Sequence, residues 1–130
     1  MDADDLPLVF IGMPVFNEAE HICAALASIQ AQSYANIRVL ISDNASTDST
    51  REKTLSAIAD DPRFEYVCLA QNIGATANFQ RMAEQAEGDY FMWAAGHHLW
   101  SANFLSEAVA AMRSDATIRI AFPTSTWVDH

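Results

Sequence analysis

Leu8-Val9-Phe10-Ile11-Gly12-Met13-Pro14-Val15-Phe16-Asn17-Glu18 decides the fold. Residues 8–13 are a short apolar run with the length of a strand, and Pro14 stops it because proline has no N–H to give a sheet. Beyond it the period changes. Over residues 18–33, Ile22, Leu26 and Ile29 recur at helical spacing with Ala25 on the same stripe.

The alternation of strand and helix continues along the chain. Residues 37–42 are rich in β-branched side chains and form a second strand. Ser49 and Glu52 resemble a capping box opening a helix that buries Leu55 and Ile58. Residues 64–69 are a third strand. From about residue 74 to 87, Ala75, Phe79, Met82 and Ala86 form a one-sided stripe, with Gly88 as its C-terminal cap. Residues 90–95 are nearly all apolar, as a strand covered on both faces is. A helix carrying Leu105, Ala108, Val109 and Met112 follows, then a fifth strand at residues 118–122. The pattern predicts the α/β class: a three-layer α/β/α sandwich with a mostly parallel sheet, one domain over residues 1–130.

Composition agrees with a compact domain. Of 130 residues, 51% are hydrophobic and 18% charged, and the net charge of −10 excludes a surface built for nucleic-acid phosphates or anionic lipid. Cys23 and Cys68 lie in apolar runs and read as small core residues, which with no disulfide framework points to a reducing compartment. No apolar run approaches the ~20 residues of a membrane span. The start, Met1-Asp2-Ala3-Asp4-Asp5, is acidic where a signal peptide is basic. A cytoplasmic protein is expected.

In such sheets a ligand lies at the carboxyl ends of the strands, near a topological switch point. Four loops therefore matter. The first, Pro14-Val15-Phe16-Asn17-Glu18, suits turn formation and capping at a helix start. The second, Asp43-Asn44-Ala45-Ser46-Thr47-Asp48, suits Asx-turns, and equally a carboxylate accepting hydrogen bonds from a base or ribose. In the third, Gly74 serves a backbone turn, while Asn72 and Asn78 either hold neighbouring loops or contact ligand. The fourth spans residues 96–100. A Gly-x-Gly-x-x-Gly after the first strand is missing, which disfavours a dinucleotide fold. A phosphoacceptor receiver domain lacks its paired acids after the first strand and its late lysine, since the only lysine is Lys53.

In order and spacing the blocks Pro14-Val15-Phe16-Asn17-Glu18, Ile41-Ser42-Asp43-Asn44-Ala45-Ser46-Thr47-Asp48, Asn72-Ile73-Gly74 and Gly88-Asp89-Tyr90-Phe91-Met92-Trp93 resemble the family 2 glycosyltransferases. The resemblance runs from about Leu8 to Trp127. It implies a GT-A fold that binds a nucleoside-diphosphate sugar and transfers the sugar to an acceptor. Pro14, Phe16 and Glu18 would line or support the nucleotide site, with Phe16 stacking on the base or packing in the core. Asp43 falls where the family places a base-binding Asp. Asn44 stands where a second Asp is common, and Asn72 and Gly74 match the loop near the nucleotide.

The family also implies a divalent cation, Mn²⁺ or Mg²⁺, held by an acidic motif and stabilising the diphosphate leaving group. Here that segment reads Trp93-Ala94-Ala95-Gly96-His97-His98-Leu99-Trp100, with His97 and His98 where acids are expected. Three alternatives stand: the imidazoles hold a metal, the protein works without one, or the loop is catalytically dead and the domain only binds, or does neither and serves as an assembly module. No catalytic base is identifiable, because Asp129 is the only late carboxylate. The expectation is an incomplete fold whose acceptor-binding part is absent, with apolar surface there able to drive homo-oligomerisation.

Overall fold

The computed structural model describes residues 5–127. The acidic stretch at residues 1–4 and the late carboxylate of Asp129 lie outside them. Eight elements follow in order: β1 (Val9–Val15), α1 (Ile22–Gln30), β2 (Ile37–Asp43), α2 (Thr50–Ile58), β3 (Phe64–Cys68), α3 (Ala75–Gln85), β4 (Tyr90–Trp93) and α4 (Phe104–Ser114). The strands form one sheet in the order β3-β2-β1-β4, parallel throughout.

β1 is central because all seven of its residues are buried, as a strand covered on both faces requires. Val9, Ile11, Met13 and Val15 face α1, α2 and α4, meeting Leu26, Ile58 and Leu105. Phe10 faces the other way, into a smaller cluster with Leu40 and Met82 on α3. Three layers result, as the pattern predicted.

The strand also runs two residues further than residues 8–13 suggested, straight through Pro14. Gly12 accepts from Ala94 on the β4 side and Val15 accepts from Asn44 on the β2 side. Alternation therefore points Pro14 toward β4, whose last paired residue, Trp93, sits opposite Gly12. The missing N–H falls beyond the end of the neighbouring ladder, where it costs no bond.

Several expectations are corrected. No strand forms at residues 118–122: among the described residues the sheet ends at β4, and Ile120 and Phe122 are 76% and 83% exposed. β-branched composition cannot make a strand without a partner for its backbone. Cys23 and Cys68 are both exposed rather than core. Cys23 sits one position round the helix from buried Ile22, and Cys68 ends the edge strand β3. α2 turns Thr50, Thr54 and Ile58 inward and leaves Leu55 42% exposed. On α3 the buried positions are Asn78 and Met82, so Phe79 lies outside too.

Ser49 makes no capping bond; Asp48 accepts from the Thr50 N–H instead, at 2.9 Å. Gly88 does not cap α3, which ends three residues earlier. Its φ of +97° instead turns the chain into β4 beside Leu8.

Candidate functional site

The chain order reverses around β1, with β2 on one side and β4 on the other, and the loops leaving these strands meet at their carboxyl ends. The loop after β1 rests on the loop after β2. Asn17, at φ +52°, donates its N–H to Ser46 Oγ (2.9 Å) and accepts from Thr47 N–H (2.8 Å). Glu18 N–H donates to Thr50 Oγ1 and Ala19 N–H to Asp48 Oδ2, at 2.8 and 3.2 Å. Loss of some solvation pushes the exposed Asp48 carboxyl up, but the bonds from Thr50 and Ala19 outweigh it and hold it below the usual range.

Asp43 closes the second loop. Its Oδ1 accepts from Ser46 N–H (2.9 Å) and the Ser46 hydroxyl (2.6 Å), across a turn that puts Ala45 at φ +62°. Its Oδ2 accepts the Tyr66 hydroxyl at 2.5 Å. Burial, then the Asp43 carboxylate, pushes the Tyr66 phenol well above its ordinary value, so it stays a donor.

Asn44 ties the second loop to the third. Its amide donates to Asn72 Oδ1 (3.1 Å) and the Gly74 carbonyl (3.2 Å), and its oxygen accepts from Ile73 N–H (2.8 Å). Asn72 Oδ1 also accepts from Gly74 N–H, shaping the turn at which Gly74 takes φ +89°. Asn78 is 2% exposed, exchanging bonds with the Ser42 hydroxyl (2.7 Å) and carbonyl (3.0 Å). Of its two expected roles, it takes the one of holding a neighbour.

The fourth loop reaches the first through Gly96. A Cβ there would stand 2.9 Å from Glu18 Cγ and 3.0 Å from Val15 Cγ1, so only glycine permits this approach. His97 Nδ1 then pairs with Glu18 Oε1 at 3.0 Å. The His98 ring stands edge-on to His97, centroids 4.9 Å apart, and to Trp100 at 6.0 Å. Burial first, and His97 second, push the His98 imidazole below its ordinary value, with Glu18 pulling the other way. Pro14 is buried in β1, whereas Phe16 is 45% exposed and so belongs to the surface.

Sequence reasoning missed Tyr66, and took Ser46 only as one member of the second loop. Tyr66 lies two residues before Cys68, the residue registered opposite Asp43, and so shares its face, but that register is not written in the spacing. No three His, Cys, Asp or Glu side chains among the described residues converge as a metal site. Glu18 brings one carboxylate beside imidazoles, which does not fit a hard cation seeking several oxygens. A groove of about 890 Å³ lies between β4, α4 and residues 118–123, with a mainly apolar lining that meets the four loops only at Trp100. It holds none of the polar constellation just described. No helix among the described residues is long and apolar enough to cross a membrane.

A parallel α/β/α domain with polar loops gathered at the switch point is the architecture of the GT-A transferases. Residues 10–125 match the model of glycosyl transferase family 2, and the chain belongs to that family. It is similar to the UDP-Glc:alpha-D-GlcNAc-diphosphoundecaprenol beta-1,3-glucosyltransferase WfgD of Escherichia coli, 30% identical over 105 residues, covering 81% of this chain and 41% of that protein. The solved mannosyltransferase PcManGT from Pyrobaculum calidifontis, in complex with GDP-Man and Mn²⁺, superposes with a TM-score of 0.77 at 26% identity over 90% of this chain and 35% of that one. S. aureus TarS 1-349, in complex with UDP-GlcNAc, shares the fold, with a TM-score of 0.74 at 20% identity over 82% of this chain and 31% of that one. The chain spans between 34% and 41% of the length of the first curated relatives it matches.

Proposed function

We propose that this chain is the nucleotide-sugar-binding part of a family 2 glycosyltransferase. The nucleoside diphosphate lies across the carboxyl ends of β1, β2 and β4. The observation that carries this is the way four separate loops bond into one surface around the Asp43 carboxylate. Asp43 is the base-recognition group, and the exposed ring of Phe16 offers it a stacking face beside Pro14. Asn44 and Asn72 set the path of the third loop, and Gly74 leaves open space over its backbone, with nothing within 4 Å of where a Cβ would stand. Glu18 fixes the ring of His97. Sugar transfer to an acceptor is proposed for the whole protein.

A nucleotide sugar carrying UDP or GDP, at millimolar concentration, is expected to raise the melting temperature, and Asp43→Ala to remove the rise. No shift with any nucleotide sugar sinks the proposal.

A second reading, binding without catalysis, is favoured by one observation: the fourth loop, where the resemblance implies acids, presents imidazoles, one already paired with Glu18. Titration with and without Mn²⁺ tests it. Metal-dependent binding makes His97 and His98 ligands, and metal-independent binding removes them from that role.

A further inference from the structure

Asp43 has almost no acceptor capacity left. A carboxylate oxygen offers two acceptor positions. Oδ1 spends both on Ser46 and Oδ2 spends one on the Tyr66 hydroxyl, while the residue as a whole is 1% exposed, so the last position is shut off from solvent. A base that reaches this buried carboxylate must therefore displace one of the donors that cover it.

These donors are not equivalent. Ser46 Oγ also accepts from Asn17 N–H, so freeing Oδ1 would disturb one of the bonds that join the first and second loops. Tyr66 comes from the edge strand β3, is half-buried, and reaches Asp43 through one hydroxyl. We propose that Tyr66 is a specificity-determining residue of the nucleotide site, because its phenol occupies the one oxygen of Asp43 that a base can take. The proposal rests on Asp43 being the base-recognition group.

Two consequences follow from hydrogen-bond balance. In the free chain Tyr66 gives Oδ2 its proton, and in the complex a base N–H does. Tyr66→Phe leaves a buried acceptor unpaired in the free chain only, since the ligand restores the partner. The variant should then bind nucleotide more tightly, the opposite of losing a ligand contact. The second consequence concerns the base. With Oδ1 saturated, the base meets a single acceptor oxygen. The uracil ring has one imide N–H between two carbonyls and is satisfied by one oxygen. Guanine offers two adjacent donors that pair side by side with both oxygens of a carboxylate, and here one is taken. Uridine diphosphate is preferred over guanosine diphosphate.

The experiment is calorimetric titration of UDP and GDP into the full chain and into Tyr66→Phe, with ligand-free melting curves. Wild type should prefer UDP by about tenfold or more, as one extra satisfied donor implies. Tyr66→Phe should melt lower without ligand and bind UDP roughly fivefold or more tightly. Unchanged or weaker UDP binding by the variant overturns the competition, and equal wild-type affinity for UDP and GDP overturns the base preference. Should the variant not fold, the Tyr66 ring resonances of wild type decide the competition: they shift on saturation with UDP if the phenol is displaced, and unmoved resonances refute it. If neither nucleotide binds either protein, the nucleotide site itself is refuted, and this proposal with it.

Discussion

At the scale of single residues, the site is held by buried amides whose bonds are filled. Asn44 is 2% exposed, with both amide hydrogens donated and its oxygen accepting. Asn44→Ala strands Ile73 N–H and frees the third loop from the second. It should cost about 2 kcal/mol in urea denaturation. His98 gives a pH dependence of definite sign. Its folded pKa lies below the ordinary 6.5, so the unfolded chain binds the extra proton first as pH falls. The stability is complete above about 6.5 and declines as pH drops from there toward the folded pKa. Melting curves between pH 7.5 and 5.5 should show this decline, with a smaller one for His98→Asn. A wild-type curve no steeper than the variant's would refute it.

Elements were the most legible level, and they show where legibility stopped. All four observed strands and four helices lie where period and composition put them, because burial enforces period. What failed depended on partners far along the chain. Residues 118–122 carry strand composition, yet β4 ends the sheet among the described residues. Cys68 sits in an apolar run, yet strand order puts β3 at the edge. The loops were recognisable as a set of blocks in order. Which side chains in them meet, such as Tyr66 with Asp43 or Glu18 with His97, depends on register and on Gly96, which spacing cannot reveal. Packing of α3 on the sheet yields a sharper test. A Cβ on Gly12 would stand 2.7 Å from Met82 Cβ and 3.3 Å from the Phe91 ring. Gly12→Ala should therefore push α3 away and cost about 2–3 kcal/mol by denaturant titration. Adding Met82→Ala should not rescue it, because alanine keeps the offending Cβ.

For the whole molecule, charge opposes the ligand. The net charge is −10 and a nucleoside diphosphate is an anion, so the long-range field repels what the loops are proposed to bind. Local compensation is thin: Lys53 Nζ is bonded to the Ala19 carbonyl behind the first loop, and the half-exposed His97 pairs with Glu18. Short-range hydrogen bonds at Asp43 and the third loop survive added salt, whereas the repulsion does not, since the Debye length falls from roughly 30 Å at about 0.01 M to roughly 8 Å at about 0.15 M. UDP affinity should accordingly rise, by about two- to fivefold, over that range of NaCl in calorimetric titration. This is the reverse of the salt dependence of a basic phosphate site. An affinity that falls with salt would mean that local positive charge dominates the field at the diphosphate, and that the net charge does not govern the approach of the ligand.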